Sequence, residues 1–107
     1  MRTASTLVLA ATTVLAAACS TVVQVPQQPI TYRCDSGRAV TASYPDTDTA
    51  TVDYQGTRHA MQIAVSASGA RYTGDGYEWW TKGAEGTLFG HNADGTTGER
   101  IELCAQR

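Results

Sequence analysis

From residue 30 onward, apolar and polar residues alternate with a period of two, and turn-forming residues interrupt the alternation at short intervals. This pattern sets one face of each segment against a core and the other in solvent, as short antiparallel strands require. Ile30, Tyr32 and Cys34 share a face; so do Val40, Ala42 and Tyr44, then Ala50, Val52 and Tyr54, then Met61, Ile63 and Val65. Shorter runs follow at 70–73, 77–80, 87–90 and 100–104, and no segment carries a helical apolar repeat over a helical length. The punctuation is Asp35-Ser36-Gly37, Pro45-Asp46, Gln55-Gly56, Ser68-Gly69, Gly74-Asp75-Gly76, Lys82-Gly83 and Asn92-Ala93-Asp94-Gly95. Glycine and asparagine reach positive φ at little cost, which tight hairpins demand. About eight short strands joined by such turns predict an all-β fold, either an antiparallel sandwich or a small closed barrel. Closure would hide the strand edges in a chain with no helix to cover them.

Residues 1–29 do not share the pattern. Arg2 is the only charge before an apolar, small-residue run from Leu7 to Ala18, which reads as a secretory signal over 1–18. The run is shorter than the roughly 20 apolar residues of a membrane span. Cys19 follows three alanines, and LAAAC resembles a bacterial lipobox, in which the cysteine is lipidated and becomes the mature N-terminus. Ala16 stands where the bulky lipobox residue is usual, and the same alanines suit an ordinary signal peptidase. Residues 20–29 are polar, rich in glutamine and carry Pro26 and Pro29, a tether between the anchored Cys19 and a domain spanning 30–107.

Cysteine parity agrees. Three cysteines leave one over in an exported protein; a lipid on Cys19 removes the oddity and leaves Cys34 and Cys104 to pair in an oxidising compartment. A bridge closing nearly the whole domain is worth roughly 4 kcal/mol by chain entropy, which matters in a domain with a modest core. The alternative, a metal site, lacks the Cys-x-x-Cys spacing, and no cofactor is called for. Without 1–18 the chain has seven basic and ten acidic side chains, a net charge of −3. That balance argues against nucleic acid and favours a basic partner.

One stretch carries a candidate site. SASGARY (66–72) and WWTKG (79–83) place a hydroxyl, Ser68, and the only lysine, Lys82, each beside a glycine at a turn. In a meander, alternate turns share an end. One turn, Gly74-Asp75-Gly76, separates these two, so they should be neighbours. Gly69 and Gly83 would let the backbone bend sharply and approach a partner closely. On spacing alone, both remain ordinary hairpin chemistry. Trp79 and Trp80 face opposite sides of a strand, so one belongs to the core. Tyr32, Tyr44 and Tyr54 read as core residues with a wet tip.

These segments, together with TYRC (31–34), TATVDYQG (49–56) and the terminal cysteine, resemble the membrane-bound inhibitors of C-type lysozyme across roughly Tyr32 to Cys104. The resemblance implies a small eight-stranded antiparallel barrel. It implies that Ser68 and Lys82 enter the active-site cleft of a C-type lysozyme, a basic host enzyme, with Gly69, Arg71, Tyr72, Thr81 and Gly83 beside them. After Gly83 the chain reads Ala84-Glu85-Gly86, outside the matching motifs. It further implies an exported protein lipid-anchored to a bacterial membrane, either the outer membrane facing the periplasm or the cell membrane. The rival reading is a structural or ligand-binding envelope lipoprotein on the same barrel.

Enzyme signals fail. Ser68 lacks the Ser-x-x-Lys spacing, and position 66 is serine where a Gly-x-Ser-x-Gly elbow needs glycine. His59 and His91 stand apart without clustered ligands and read as surface residues. Asp46-Thr47-Asp48 falls in a turn after Pro45, without the parallel α/β setting of a phosphatase loop, and Gly74-Asp75-Gly76 is too short for a calcium loop.

Overall fold

A computed structural model describes residue 3 and residues 28–107. The expected signal segment (but for Thr3), Cys19 and the tether up to residue 27 lie outside the described residues. Eight strands run in chain order: β1 (Ile30–Cys34), β2 (Ala39–Ser43), β3 (Thr49–Tyr54), β4 (Thr57–Ala64), β5 (Ala70–Gly74), β6 (Tyr77–Lys82), β7 (Glu85–His91) and β8 (Thr97–Gln106). Each pairs antiparallel with the next, and β8 returns to β1, so the sheet closes into a barrel. Of the two architectures open to the alternation, the chain adopts the one that leaves no long unpaired edge.

The turns explain the tight register. Gln55-Gly56 and Asp75-Gly76 both have positive φ at each central residue and join directly paired positions, Tyr54 with Thr57 and Gly74 with Tyr77. Such two-residue loops match the right-handed twist of the flanking strands. The β6–β7 turn is built differently. Lys82 still pairs with Glu85, Gly83 takes φ 57°, and Ala84 completes the two-residue loop. Lys82 is therefore the last residue of a strand, held by its register, and the turn proper begins after it.

The interior is filled by the alternating set. Val40, Ala42, Ala50, Val52, Met61, Trp79 and Leu88 are buried, with the rings of Tyr32, Tyr54 and Tyr72 and the Cys34–Cys104 disulfide packed around them. Trp79 meets the Tyr32 ring edge-on at 5.0 Å. Gly86 makes room for it, because a methyl there would run into the indole. Trp80, one residue on, points outward and packs beside Phe89, centroids 6.3 Å apart.

Two sequence expectations need correction. Met61, Ile63 and Val65 do not form one buried face: Met61 is buried, Ile63 is 42% exposed and Val65 is 93% exposed. The barrel interior ends at Met61. Ile63 lies at the mouth, where its N–H donates to the Asp48 carbonyl at 2.7 Å, and Val65 has left β4 for the following loop. The last strand is also longer than 100–104 suggests, and register shifts beside Leu88 and Phe89 accommodate its pairing with β7.

The meander sorts the connections between two poles. The β2–β3, β4–β5 and β6–β7 connections lie at one pole, with the start of β1 and the end of β8; the other connections lie at the opposite pole.

Candidate functional site

Residues 65–69 connect β4 to β5. Gly69, at φ 68°, lies so close to β6 that a side chain there would strike the Thr81 carbonyl oxygen and approach the Lys82 Cβ. This contact joins the two turns singled out in the sequence. Ser68 and Lys82 are both exposed and line one open depression with Trp80, Glu85, Thr87 and Phe89. Among the described residues Lys82 has no ion-pair partner. The pole thus offers a free ammonium, carried by a registered strand end, beside a hydroxyl on a short loop.

The remaining expected site residues divide. Tyr72, Thr81 and Gly83 line the barrel mouth with Ile30, Tyr32 and Tyr44. Tyr72 is buried and its ring lies 5.6 Å from that of Tyr44. The Tyr44 hydroxyl accepts from the Trp79 indole at 2.9 Å and bonds the Tyr32 hydroxyl at 3.0 Å. Burial, aided by Tyr32, holds the Tyr44 hydroxyl well above the ordinary tyrosine range. Tyr44 and Tyr32 therefore bond inward at the mouth, and the Tyr54 hydroxyl donates to Glu102 at 3.0 Å, so the expected wet tips are satisfied by protein. Arg71 is mostly covered, and its guanidinium lies beneath the 65–69 loop rather than beyond it, as its bond to the Val65 carbonyl shows.

A family profile described as membrane-bound lysozyme-inhibitor of c-type lysozyme matches residues 32–97, which include both Ser68 and Lys82. The chain belongs to this family. Two curated relatives, each named membrane-bound lysozyme inhibitor of C-type lysozyme, are similar to it. The one from Cupriavidus necator is 47% identical over 62 residues, 55% of this chain and 50% of the relative. The one from Pseudomonas aeruginosa is 38% identical over 65 residues, 57% of this chain and 51% of the relative. The chain spans about half the length of the curated relatives it matches. No solved structure gives a significant match.

Within this barrel, sequence reasoning missed two buried carboxylates. Glu78 is fully buried although it lies on the outward side of β6 with Trp80. It accepts from Arg71, from Thr97 Oγ1 at 2.8 Å, and bonds His91 Nδ1 at 2.8 Å. Glu102 faces inward near the disulfide, where Ser36, at 2.6 Å, and Tyr54 donate to it. For Glu102 a signal existed: it alternates with Cys104, so the two share a face. For Glu78 nothing in the alternation announces burial, since the cover comes from side chains on β5, β7 and β8. The histidines correct an expectation too: His59 alternates with the buried Met61 and pairs with Val52, on the inward face, while His91 is covered at Glu78. His59 is buried, with Nδ1 3.3 Å from Asp75, and His91 is half-buried on Glu78. Neither ring nitrogen is bonded to Ser68, which leaves that hydroxyl without a base of the Ser–His kind. Asp46 closes its own turn, accepting from the Asp48 N–H at 2.8 Å and from Thr49.

Glu78 sets a pH dependence. Burial works against its charge, but hydrogen bonds from Arg71, His91 and Thr97, with the Arg71 charge, outweigh burial and hold the carboxyl below the ordinary glutamate range. The unfolded chain then binds this proton more readily than the folded one. The stabilisation is complete above an unfolded value of about 4.3 and is lost as pH falls through the folded value. Thermal unfolding followed from about pH 6 to about pH 2 is expected to show a midpoint that drops below about pH 4, and Glu78→Gln to flatten that drop.

Proposed function

We propose that this chain is a stoichiometric protein inhibitor of C-type lysozyme, which presents Ser68 and Lys82 to the enzyme's cleft and performs no chemistry of its own. The observation that carries this reading is the meeting of Ser68 and Lys82 on one open surface at one pole, with the ammonium unpaired among the described residues, in a chain of this family. Glycosidases of the C type use two carboxylates, one protonated as general acid and one ionised. An ammonium between them pairs with the ionised group and lowers the pKa of the acid. A serine hydroxyl can donate to a carboxylate oxygen or accept from the protonated acid. Gly69 and Gly83 keep the flanking backbone free of side chains where the two surfaces close.

The direct test mixes purified residues 20–107 with a C-type lysozyme and follows lysis of a cell-wall suspension. The expected result is inhibition that saturates near one inhibitor per enzyme; undiminished lysis at a large molar excess would end the proposal. Turnover of esters or peptides that Ser68→Ala abolishes would instead mark a hydrolase.

The same reading places the protein in the envelope, exported and held by a lipid on Cys19, with residues 20–29 as tether. Support comes from the lipobox-like LAAAC, from cysteine parity now that Cys34 and Cys104 are bridged, and from the membrane-bound designation of the relatives. Mass spectrometry of the mature N-terminus decides it: an acylated Cys19 agrees, and an unmodified residue at a different start does not.

A further inference from the structure

The loop that carries Ser68 is tied down from below by a chain of three side chains. Arg71 on β5 donates from Nη2 to the buried carboxylate of Glu78 and from Nη1 to the Val65 carbonyl at 3.3 Å, the first residue of the loop. Its guanidinium lies 5.9 Å from the centroid of the Trp80 ring. Trp80 in turn donates its indole N–H to the Ser68 carbonyl at 3.0 Å. Within the loop, Ser66 Oγ donates to the Gly69 carbonyl at 3.0 Å, and Gly69 abuts the Thr81 carbonyl. Both ends of a five-residue connection are thus fixed to β5 and β6, by Arg71, which is mostly covered, and by Trp80, which lines the wall of the open depression.

We propose that Arg71, Glu78 and Trp80 are positioning residues, a brace that holds residues 65–69 in a binding-ready shape before any partner arrives. The proposal rests on the reading of Ser68 as a group that enters an enzyme cleft. An exposed loop that must be ordered on binding loses affinity by the fraction of time it spends out of shape. Arginine suits the central place because its planar fork serves two acceptors at once, whereas a lysine ammonium anchored on Glu78 does not also reach the Val65 carbonyl. Glu78 fixes the fork. It is buried and further bonded by His91 and Thr97, so its carboxylate has no freedom to let the guanidinium swing away. The arrangement gives Arg71, a residue of the SASGARY motif, a task that needs no contact with the enzyme.

Two conservative variants of the full protein test the brace. Trp80→Phe keeps an aromatic ring beside Phe89 and Arg71, removes the N–H and makes the ring smaller. Arg71→Lys keeps the charge beside Glu78 and removes the second donor arm. Thermal unfolding reports the fold, amide hydrogen exchange of residues 65–70 reports the loop in the free protein, and association and dissociation rates are measured against a C-type lysozyme. With the unfolding midpoint retained, the brace predicts loop exchange faster by roughly tenfold and a comparable loss of affinity, carried mainly by slower association. A direct contact of Trp80 with the enzyme would show in dissociation instead, and that result overturns the proposal. So does unchanged loop exchange in both variants, or faster exchange with unchanged association. Should the unaltered protein fail to bind lysozyme, the functional reading fails alone, and the exchange measurements still decide whether the brace holds the loop.

Discussion

Lys82→Ala is expected to weaken inhibition of a C-type lysozyme by about 2–5 kcal/mol, a factor of roughly 30 to several thousand in the inhibition constant. The size follows from what the substitution leaves behind. If the ammonium sits between the enzyme's carboxylates, its removal strands an ionised group in a cleft from which the inhibitor has excluded water. Leaving a buried charge unpaired costs far more than losing a surface ion pair. The free inhibitor should tolerate the change well, because Lys82 is exposed, ends its strand and has no ion-pair partner among the described residues. Unfolding midpoints are therefore expected to coincide while inhibition separates. Ser68→Ala should cost less, about 1–3 kcal/mol, the penalty of an unsatisfied polar group in the enzyme. An inhibition constant for Lys82→Ala within about a factor of three of the original would remove the ammonium from the mechanism.

Much of this geometry was legible because strand alternation and turn chemistry are local. The separation of Trp79 from Trp80 follows from adjacency in a strand, and the structure puts the first in the core and the second outside. The shared pole of Ser68 and Lys82 follows from counting turns in a meander. What stayed hidden depends on where the barrel ends and on contacts between distant strands. Ile63 and Val65 continue an inward alternation past the point where there is an interior to enter. Glu78 has the sequence position of an outward residue and becomes buried because Arg71, His91 and Thr97, from three other strands, close over it. Arg71 is near in sequence, across the β5–β6 hairpin, but His91 and Thr97 are 13 and 19 residues away, so the closure over Glu78 was invisible until the strands were registered.

Replacing both Cys34 and Cys104 by alanine is expected to lower the unfolding free energy by about 4 kcal/mol in the chain-entropy treatment of a bridge this long in sequence. The two cysteines are 70 residues apart and face each other directly where β8 returns to β1. That seam is the one connection of the barrel that no turn enforces, and it is short: Tyr32 with Gln106, Arg33 with Ala105, and Cys34 with Cys104. Every other neighbouring pair is joined by a turn or loop that keeps its strands at high effective concentration, whereas β1 and β8 meet only if the whole sheet has curled. Without the bridge, their ladder bonds alone must repay the entropy of closure. Partial opening would uncover two strand edges at once, so the variant should also become prone to association. The candidate site would feel the loss, since the Gln106 N–H at the end of β8 donates to the Ala84 carbonyl at 2.8 Å and so steadies the turn that follows Lys82. Urea unfolding of the double variant beside the oxidised protein measures the effect, and inhibitory activity should fall along the same transition rather than before it. A difference below about 1 kcal/mol would mean that the seam closes on its own hydrogen bonds and packing, and that the bridge contributes little to holding the barrel shut.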